Sequence, residues 1–197
     1  MSSINADRKI HNFPERNMNV ILNTPRLMLR EIVRDDRTDM AEILQDPEAM
    51  YAYEHAFSSG EVDAWLDRQL RRYEQDGHGL WAVICRESGA WLGMCGLTIQ
   101  NVENTRELEV GYLFKRRFWH RGYAREAAAG CRDYAFNVLG TPRLVACVRV
   151  NNAPSRRVAE SLGMKVERIF VKHYYDMDMP HALYVLELPG TAHRKGK

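Results

Sequence analysis

Hydrophobic and polar residues alternate with two different periods along this chain, and the change of period predicts strands interleaved with helices. Residues 107–114 alternate strictly, as in a strand with one face against a core. The residues on that face are Leu108, Val110, Tyr112 and Phe114. Over residues 122–139, apolar side chains recur at the i, i+3, i+4 and i+7 spacing of an amphipathic helix. Residues 144–150 are almost continuously apolar, which is typical of a strand buried on both faces.

The same patterns predict elements along the rest of the chain, in the order β-α-α-β-β-β-α-β-α-β-β. The first strand is expected at 26–32, a helix at 36–45, and a second helix after a capping box that starts at Ser58. Short polar breaks separate three apolar segments between residues 80 and 114, which predicts an antiparallel meander. The last elements are expected at 144–150 (strand), 153–162 (helix), 165–174 (strand) and 182–188 (strand). This pattern predicts an α/β (α+β) domain with a mixed sheet.

The length of 197 residues fits one domain with a sizeable core. We expect that domain at 21–189, between a polar arm at 1–20 and a basic tail at 190–197. The arm is expected either to be disordered or to pack on a neighbouring molecule, so a homodimer is left open. The tail has the composition of a solvated chain end.

Composition and charge exclude several classes of partner. A formal net charge of +2 creates no global field that would attract nucleic acid. No apolar run approaches the roughly 18 residues of a membrane span, and nothing at the start resembles a signal peptide. The four cysteines lie in apolar runs without metal-ligand spacing, which predicts reduced, buried thiols. The sequence therefore predicts a cytoplasmic protein with no bound metal, no nucleic-acid partner and no membrane association.

A basic segment, residues 115–125, joins the alternating strand to the long helix, and it contains five cations. The N–H groups of a helix N-terminus are unpaired, and the helix dipole favours an anion there. Gly122 would let the backbone approach a ligand closely, and Ala124 would keep the first turn uncrowded. The segment therefore predicts a phosphate cradle, although a solvated basic surface has a similar composition. Nucleic-acid binding is disfavoured because the cations cluster in one short stretch.

Several segments resemble one protein family. Residues 109–112, Glu-Val-Gly-Tyr, and 118–127, Phe-Trp-His-Arg-Gly-Tyr-Ala-Arg-Glu-Ala, resemble the acetyl-CoA signature of the GNAT N-acetyltransferases. The resemblance is to the branch of the ribosomal-protein N-terminal acetyltransferases, the Rim group. Residues 24–30, Thr-Pro-Arg-Leu-Met-Leu-Arg, and 152–164, Asn-Ala-Pro-Ser-Arg-Arg-Val-Ala-Glu-Ser-Leu-Gly-Met, resemble the same branch. His120 departs from the pattern, which normally has glycine there.

The resemblance implies a fold, a reaction and a set of cofactor contacts. The fold would be the GNAT fold, with a mixed, mostly antiparallel central sheet and helices on both faces. The reaction would move an acetyl group from acetyl-CoA to a primary amine, either of a protein N-terminus or of a small molecule. The pantetheine arm would lie between strands 110–114 and 144–150, which are expected to splay apart. The implied cofactor contacts are Phe114, Lys115, Arg116, Arg121, Gly122, Tyr123, Ala124, Arg125 and Asn152.

Two side chains are candidates for catalysis. Glu109 would accept the proton of the amine, and Ser155 would donate a proton or a hydrogen bond to the departing sulfur. Each has an alternative: Glu109 could pair with a neighbouring arginine, and Ser155 could be a first-turn residue of a helix capped by Asn152. Tyr112 and Tyr174 are the alternative acids. The alternative function is a non-catalytic module that binds or senses acyl-CoA.

Overall fold

The computed structural model of the protein describes residues 19–174 and 177–188, although not the side chain of Tyr174. The predicted arm and tail lie outside these residues, except for Asn19 and Val20. The strands are β1 (Val20–Asn23), β2 (Leu27–Glu31), β3 (Leu80–Cys85), β4 (Trp91–Val102), β5 (Thr105–Phe114), β6 (Arg143–Arg149), β7 (Lys165–Tyr174) and β8 (Met177–Glu187). The helices are α1 (Arg37–Leu44), α2 (Ser59–Asp76), α3 (Tyr123–Asn137) and α4 (Ala153–Ser161).

The strands form one sheet in the order β1-β2-β3-β4-β5-β6-β8-β7. Every neighbouring pair is antiparallel except β5 and β6, which are parallel. A parallel pair needs a crossover connection, and α3 supplies it between these two strands. The prediction of a mixed, mostly antiparallel sheet is therefore confirmed.

Helices cover both faces of the sheet. On one face, α3 and α4 pack on the even-numbered side chains of β5, of which Val110 and Phe114 are buried. On the other face, α1 and α2 pack on β3 and β4 through a second core that includes Met40, Leu66 and Met94. The periodicity of 107–114 correctly predicted which face of β5 lies against this core.

Two elements differ from the predictions by more than two residues. The chain has a strand before the predicted first one, because β1 pairs antiparallel with β2 through a turn in which Thr24 N–H donates to Leu27 O (2.8 Å). β1 has only four residues, too short a run for a period to show. β8 begins at Met177, five residues before the predicted start, because backbone pairing with β7 extends the strand across polar residues.

Candidate active site

The sheet opens between its two parallel strands. β5 and β6 share a single register point, Glu109 opposite Val145, and they diverge beyond it. The divergence predicted from the family resemblance is therefore present. A cavity of about 640 Å³ lies at this opening and is lined by β5, β6, α2 and the first turn of α4.

The hydrogen bonds of β5 show which backbone groups face the opening. Lys115 N–H donates to Leu92 O at 3.0 Å, so Lys115 pairs with β4 on the side away from the opening. In an antiparallel pair, hydrogen-bonded residues alternate along each strand, so Tyr112 and Phe114 turn their backbone groups towards β6. The N–H of Lys115 is thus already paired, and the backbone of Tyr112, which the sequence analysis did not single out for the cofactor, faces the opening.

The segment between β5 and α3 ends at an uncapped helix N-terminus. Gly122, the residue before α3, has φ +77° and no side chain to cap the helix. His120 is exposed and has φ +60°, in the left-handed region that favours glycine. The family pattern has glycine at this position, and the φ angle gives a physical reason for it. The N–H groups of the first turn of α3 therefore remain open to an anion.

Hydrogen bonds between two segments distant in sequence, the β1–β2 turn and the start of α3, fix this turn. Glu126, in the first turn of α3, accepts hydrogen bonds from Thr24 Oγ1 (2.6 Å), Arg26 N (2.8 Å) and Arg26 Nε (2.6 Å). Arg26 also donates to Arg121 O at 3.1 Å and lies over the Tyr123 ring. Thr24, Arg26 and Glu126 lie in two segments that resemble the family, residues 24–30 and 118–127. Their mutual contact could not be read from either segment alone.

Three of the five cations in 115–125 are neutralised by the protein itself. We call Lys115, Arg116 and Arg117 the loop cluster. Its pairs are Lys115–Asp39 (2.5 Å), Lys115–Glu42 (2.9 Å), Arg116–Asp46 (2.5 Å), Arg116–Glu48 (2.5 Å) and Arg117–Glu42. The Lys115 side chain is only 2% exposed. Of the five cations that suggest a phosphate cradle, only Arg121 and Arg125 have no ion pair among the described residues.

Glu109 lies at the point where β5 and β6 diverge. Its carboxylate accepts a hydrogen bond from Cys147 N at 2.9 Å, an amide on the diverging strand β6. Glu109 also lines the cavity, where burial and, less strongly, this carboxylate raise the pKa of the Cys147 thiol. Within the described part of the chain, Glu109 has no ion pair with an arginine, so the alternative considered for it is not observed.

Ser155 and Tyr112 form one hydroxyl pair at the cavity wall. Their oxygens are 3.0 Å apart, and Tyr112 Oη also donates to Ser155 O at 2.9 Å. Burial raises the pKa of Tyr112, against a smaller lowering by the Ser155 hydrogen bond, so the phenol keeps its proton. Asn152 Oδ1 accepts a hydrogen bond from Ser155 N at 3.1 Å. The alternative considered for Ser155, a first-turn residue of a helix capped by Asn152, is therefore also observed. The side chain of Tyr174, the other candidate acid, is not described.

The far side of the cavity combines aromatic rings with charged residues of α2. Tyr53, Phe57 and Trp65 contact one another edge to face, with ring centroids 5.5–6.3 Å apart. Two arginines of α2, Arg68 and Arg72, line the same cavity. The sequence did not reveal these arginines, because the capping box predicts where α2 begins but not which face it turns towards the cavity.

The described residues contain neither a metal-binding cluster nor a membrane-spanning helix. No group of three or more His, Cys, Asp or Glu side chains within 19–174 and 177–188 could hold a metal ion. In the same part of the chain, no helix is both long and apolar enough to cross a membrane.

A sheet that opens between its two parallel strands, beside an uncapped helix, is the arrangement expected of a GNAT acetyltransferase. The family model described as an acetyltransferase (GNAT) domain matches residues 26–165. The chain is also 35% identical to the uncharacterized protein YkkB of Bacillus subtilis (strain 168) over 152 residues, covering 77% of this chain and 88% of that protein. The protein belongs to the GNAT acetyltransferase family and is an N-acetyltransferase, as predicted.

Solved structures share the fold. An acetyltransferase from Agrobacterium tumefaciens strain C58 has a TM-score of 0.72 and 26% identity, covering 85% of this chain and 94% of that one. RimL, a ribosomal L7/L12 α-N-protein acetyltransferase solved with coenzyme A, has a TM-score of 0.71 and 13% identity, covering 86% and 98%. At that identity the likeness to RimL concerns the fold alone.

Proposed function

We propose that the protein transfers the acetyl group of acetyl-CoA to a primary amine in the cavity between β5 and β6. The observation that carries this proposal is the position of Glu109. Its carboxylate lies at the point of divergence, on the cavity wall, hydrogen-bonded to one backbone amide and without an ion pair among the described residues. A carboxylate placed in this way can accept a proton from an ammonium group.

The residues around the opening fit coenzyme A. The backbone of Tyr112 and Phe114 would pair with the pantetheine amides, as an added strand pairs with a sheet edge. The open N–H groups of Arg121–Arg125 would bind the pyrophosphate, with the Arg121 and Arg125 side chains adding charge. Gly122 supports this fit. It has φ +77° and no side chain, so nothing at this position covers the N–H groups at the start of α3. Asn152 would contact the pantetheine through its amide NH2 group, since its Oδ1 caps α4.

Bound acetyl-CoA supplies an activated thioester, whose C–S bond breaks as the amine nitrogen forms a C–N bond with the acetyl carbon. Glu109 accepts the proton that the amine loses, directly or through one water. Ser155 Oγ donates a hydrogen bond or a proton to the departing thiolate, and Tyr112 stabilises the serine hydroxyl. Ribosomal L7/L12 is named for RimL only, and we do not assign it to this protein. For this protein the acceptor is a primary amine of either a small molecule or a protein N-terminus.

Thiol release from acetyl-CoA across a panel of primary amines tests the proposal. We expect amine-dependent release and an acetylated product with at least one acceptor. Gly122→Val should raise the Kd for acetyl-CoA about tenfold or more, because a β-branched residue is strained at φ +77°. The thermal unfolding midpoint shows whether that variant is folded. Acetyl-CoA binding without transfer to any amine would instead support the non-catalytic, acyl-CoA-sensing alternative.

A further inference from the structure

Helix α2 turns one face towards the cavity and an adjacent face towards the core. The core face contains the buried residues Val62, Leu66 and Gln69. The cavity face contains Glu61, Ala64, Trp65, Arg68 and Arg72, which recur at helical spacing. We call Arg68 and Arg72 the cavity pair. They are one turn apart on the same face, so both guanidinium groups belong to one wall of the cavity.

Neither member of the cavity pair has a carboxylate partner within the described residues. Arg72 NH1 donates to Gln69 Oε1 at a long 3.4 Å, and Arg68 lies over the Trp65 ring at 5.0 Å from its centroid. Burial is the main cause that lowers the pKa of Arg72, and the charge of Arg68 adds to it. Glu109 and Asp76 act on Arg72 only at longer range. A partly desolvated guanidinium group that no carboxylate contacts is unfavourable, so this wall is suited to an anion.

The carboxylates of the cavity do not neutralise this pair. Glu61 is held by Ser58 N (2.8 Å) and by His55 Nε2 (2.8 Å), as part of the capping box of α2. Glu109 accepts from Cys147 N, and it interacts with Arg72 only at longer range, raising the pKa of that arginine. The cations that line the cavity are Arg68, Arg72, Arg149 and Lys172, and the carboxylates are Glu54, Glu61 and Glu109.

We propose that the acceptor is a small-molecule amine that also carries an oxyanion, either a carboxylate or a phosphate, which the cavity pair binds. This inference rests on the proposed function and specifies its substrate class. The planar guanidinium fork matches both kinds of oxyanion. The amine of the same molecule would face Glu109, and the rings of Tyr53, Phe57 and Trp65 would contact its apolar part. A cavity of about 640 Å³ is of the size that holds small molecules.

Matched amines test the substrate class with the full-length protein and acetyl-CoA. Phenylalanine is compared with phenethylamine, and 2-aminoethyl phosphate with ethanolamine, so that each pair differs by one anionic group. We expect kcat/KM to be at least tenfold higher for the anionic member of at least one pair. The first pair identifies a carboxylate as the oxyanion, and the second pair identifies a phosphate. A peptide with an N-terminal aspartate represents a protein acceptor.

Variants of α2 test the assignment to the cavity pair. Arg72→Gln and Arg68→Gln should each raise KM for the preferred anionic amine about 10- to 100-fold, the range for a hydrogen bond to a charged group. kcat should change much less, and the matched amine that lacks the oxyanion should be unaffected. Arg72→Lys should give a smaller increase, because it keeps the charge but loses the fork. Arg71→Gln is the matched control, since Arg71 is exposed and lies outside the cavity.

Binding of 3-phenylpropionate, an oxyanion without an amine, separates this inference from the proposed function. Calorimetry should detect binding that Arg72→Gln and Arg68→Gln weaken and Arg71→Gln does not. If that binding is present but no amine is acetylated, the transferase proposal fails and the anion site stands. Three results would overturn the inference: equal use of amines with and without an oxyanion, equal losses for both in the cavity-pair variants, or acetylation of the peptide alone.

Discussion

The loop cluster and the cavity pair are both groups of adjacent cations, and they differ in what surrounds them. Each member of the loop cluster contacts a carboxylate of α1 or of the segment that follows it. Arg68 and Arg72 have no such contact in the described part of the chain, although they lie in a cavity. The density of cations in a sequence therefore does not show which of them are available to a ligand. The position of the acidic residues in the fold decides that.

The ion pairs of the loop cluster indicate a structural role for its side chains. The buried Lys115 and its two exposed neighbours tie the end of β5 to α1, on the face opposite α3. Arg26 and Glu126 fix the other end of the same segment at the first turn of α3. The segment is thus held at both ends, which positions the open N–H groups of α3 for an anion. Removing a loop-cluster cation should therefore lower the stability of the fold more than it weakens the binding of coenzyme A.

The largest expected effect concerns the carboxylate in the cavity. Glu109→Gln keeps an oxygen that can accept from Cys147 N but removes the proton acceptor. We expect kcat to fall about 10²- to 10⁴-fold at neutral pH and to recover partly at high pH, where the amine loses its own proton. The pH profile of kcat measures this, and the Kd for acetyl-CoA should stay unchanged as a control. An unaltered rate and profile would assign the base to another group.

The next largest effect is expected at the hydroxyl pair. Ser155→Ala should lower kcat about 10- to 1000-fold, the range for a positioned acid or one lost hydrogen-bond donor. The cap of α4 should survive, because Asn152 Oδ1 accepts from the backbone N–H of residue 155. Tyr112→Phe, measured in parallel, should have a smaller effect if Ser155 contacts the sulfur. Full turnover by Ser155→Ala together with a large loss in Tyr112→Phe would make the tyrosine the acid.

A smaller effect should separate the two kinds of cation in the 115–125 segment. Arg121→Ala and Arg125→Ala should each weaken acetyl-CoA binding about fivefold at low salt, as expected for an exposed contact worth about 1 kcal/mol. Arg117→Ala is the matched control and should change the Kd less than twofold, because Arg117 is paired with Glu42. Added salt should reduce the first effect. Equal losses of acetyl-CoA affinity in all three variants would show that an ion pair with a carboxylate does not prevent a cation from binding the ligand.

Much of the fold followed from periodicity, because a buried face must repeat with the period of its element. The alternation of 107–114 placed Glu109 on the face opposite Val110, and the structure has this arrangement. The family resemblance predicted the splay that brings Glu109 and Ser155 to one cavity. Long-range partners could not be predicted, since nothing in the sequence near Lys115 or Arg72 indicates which of them meets a carboxylate. Likewise, the φ of His120 depends on the turn and not on the residue's own preference.

The smallest expected effect is a loss of thermal stability at acidic pH, as the carboxylates paired with the loop cluster become protonated. Burial alone would raise the pKa of Glu42, but hydrogen bonds from Lys115 and Arg117 outweigh it and hold that pKa below its ordinary value. The pKa of Asp46 is held low in the same way, by Arg116 and by backbone amides.

A carboxylate whose pKa is lower in the folded protein stabilises it above the unfolded pKa of about 4 and loses that contribution as pH falls through the folded value. We therefore expect the thermal unfolding midpoint to fall between about pH 5 and pH 3, and to fall less steeply in Glu42→Gln. Glu74→Gln, on an exposed part of α2, is the control and should keep the wild-type slope. Because Glu42 is 40% exposed, the difference should be small and should shrink in high salt. Identical slopes in the two variants would mean that the loop cluster holds its segment through packing of Lys115 and not through charge.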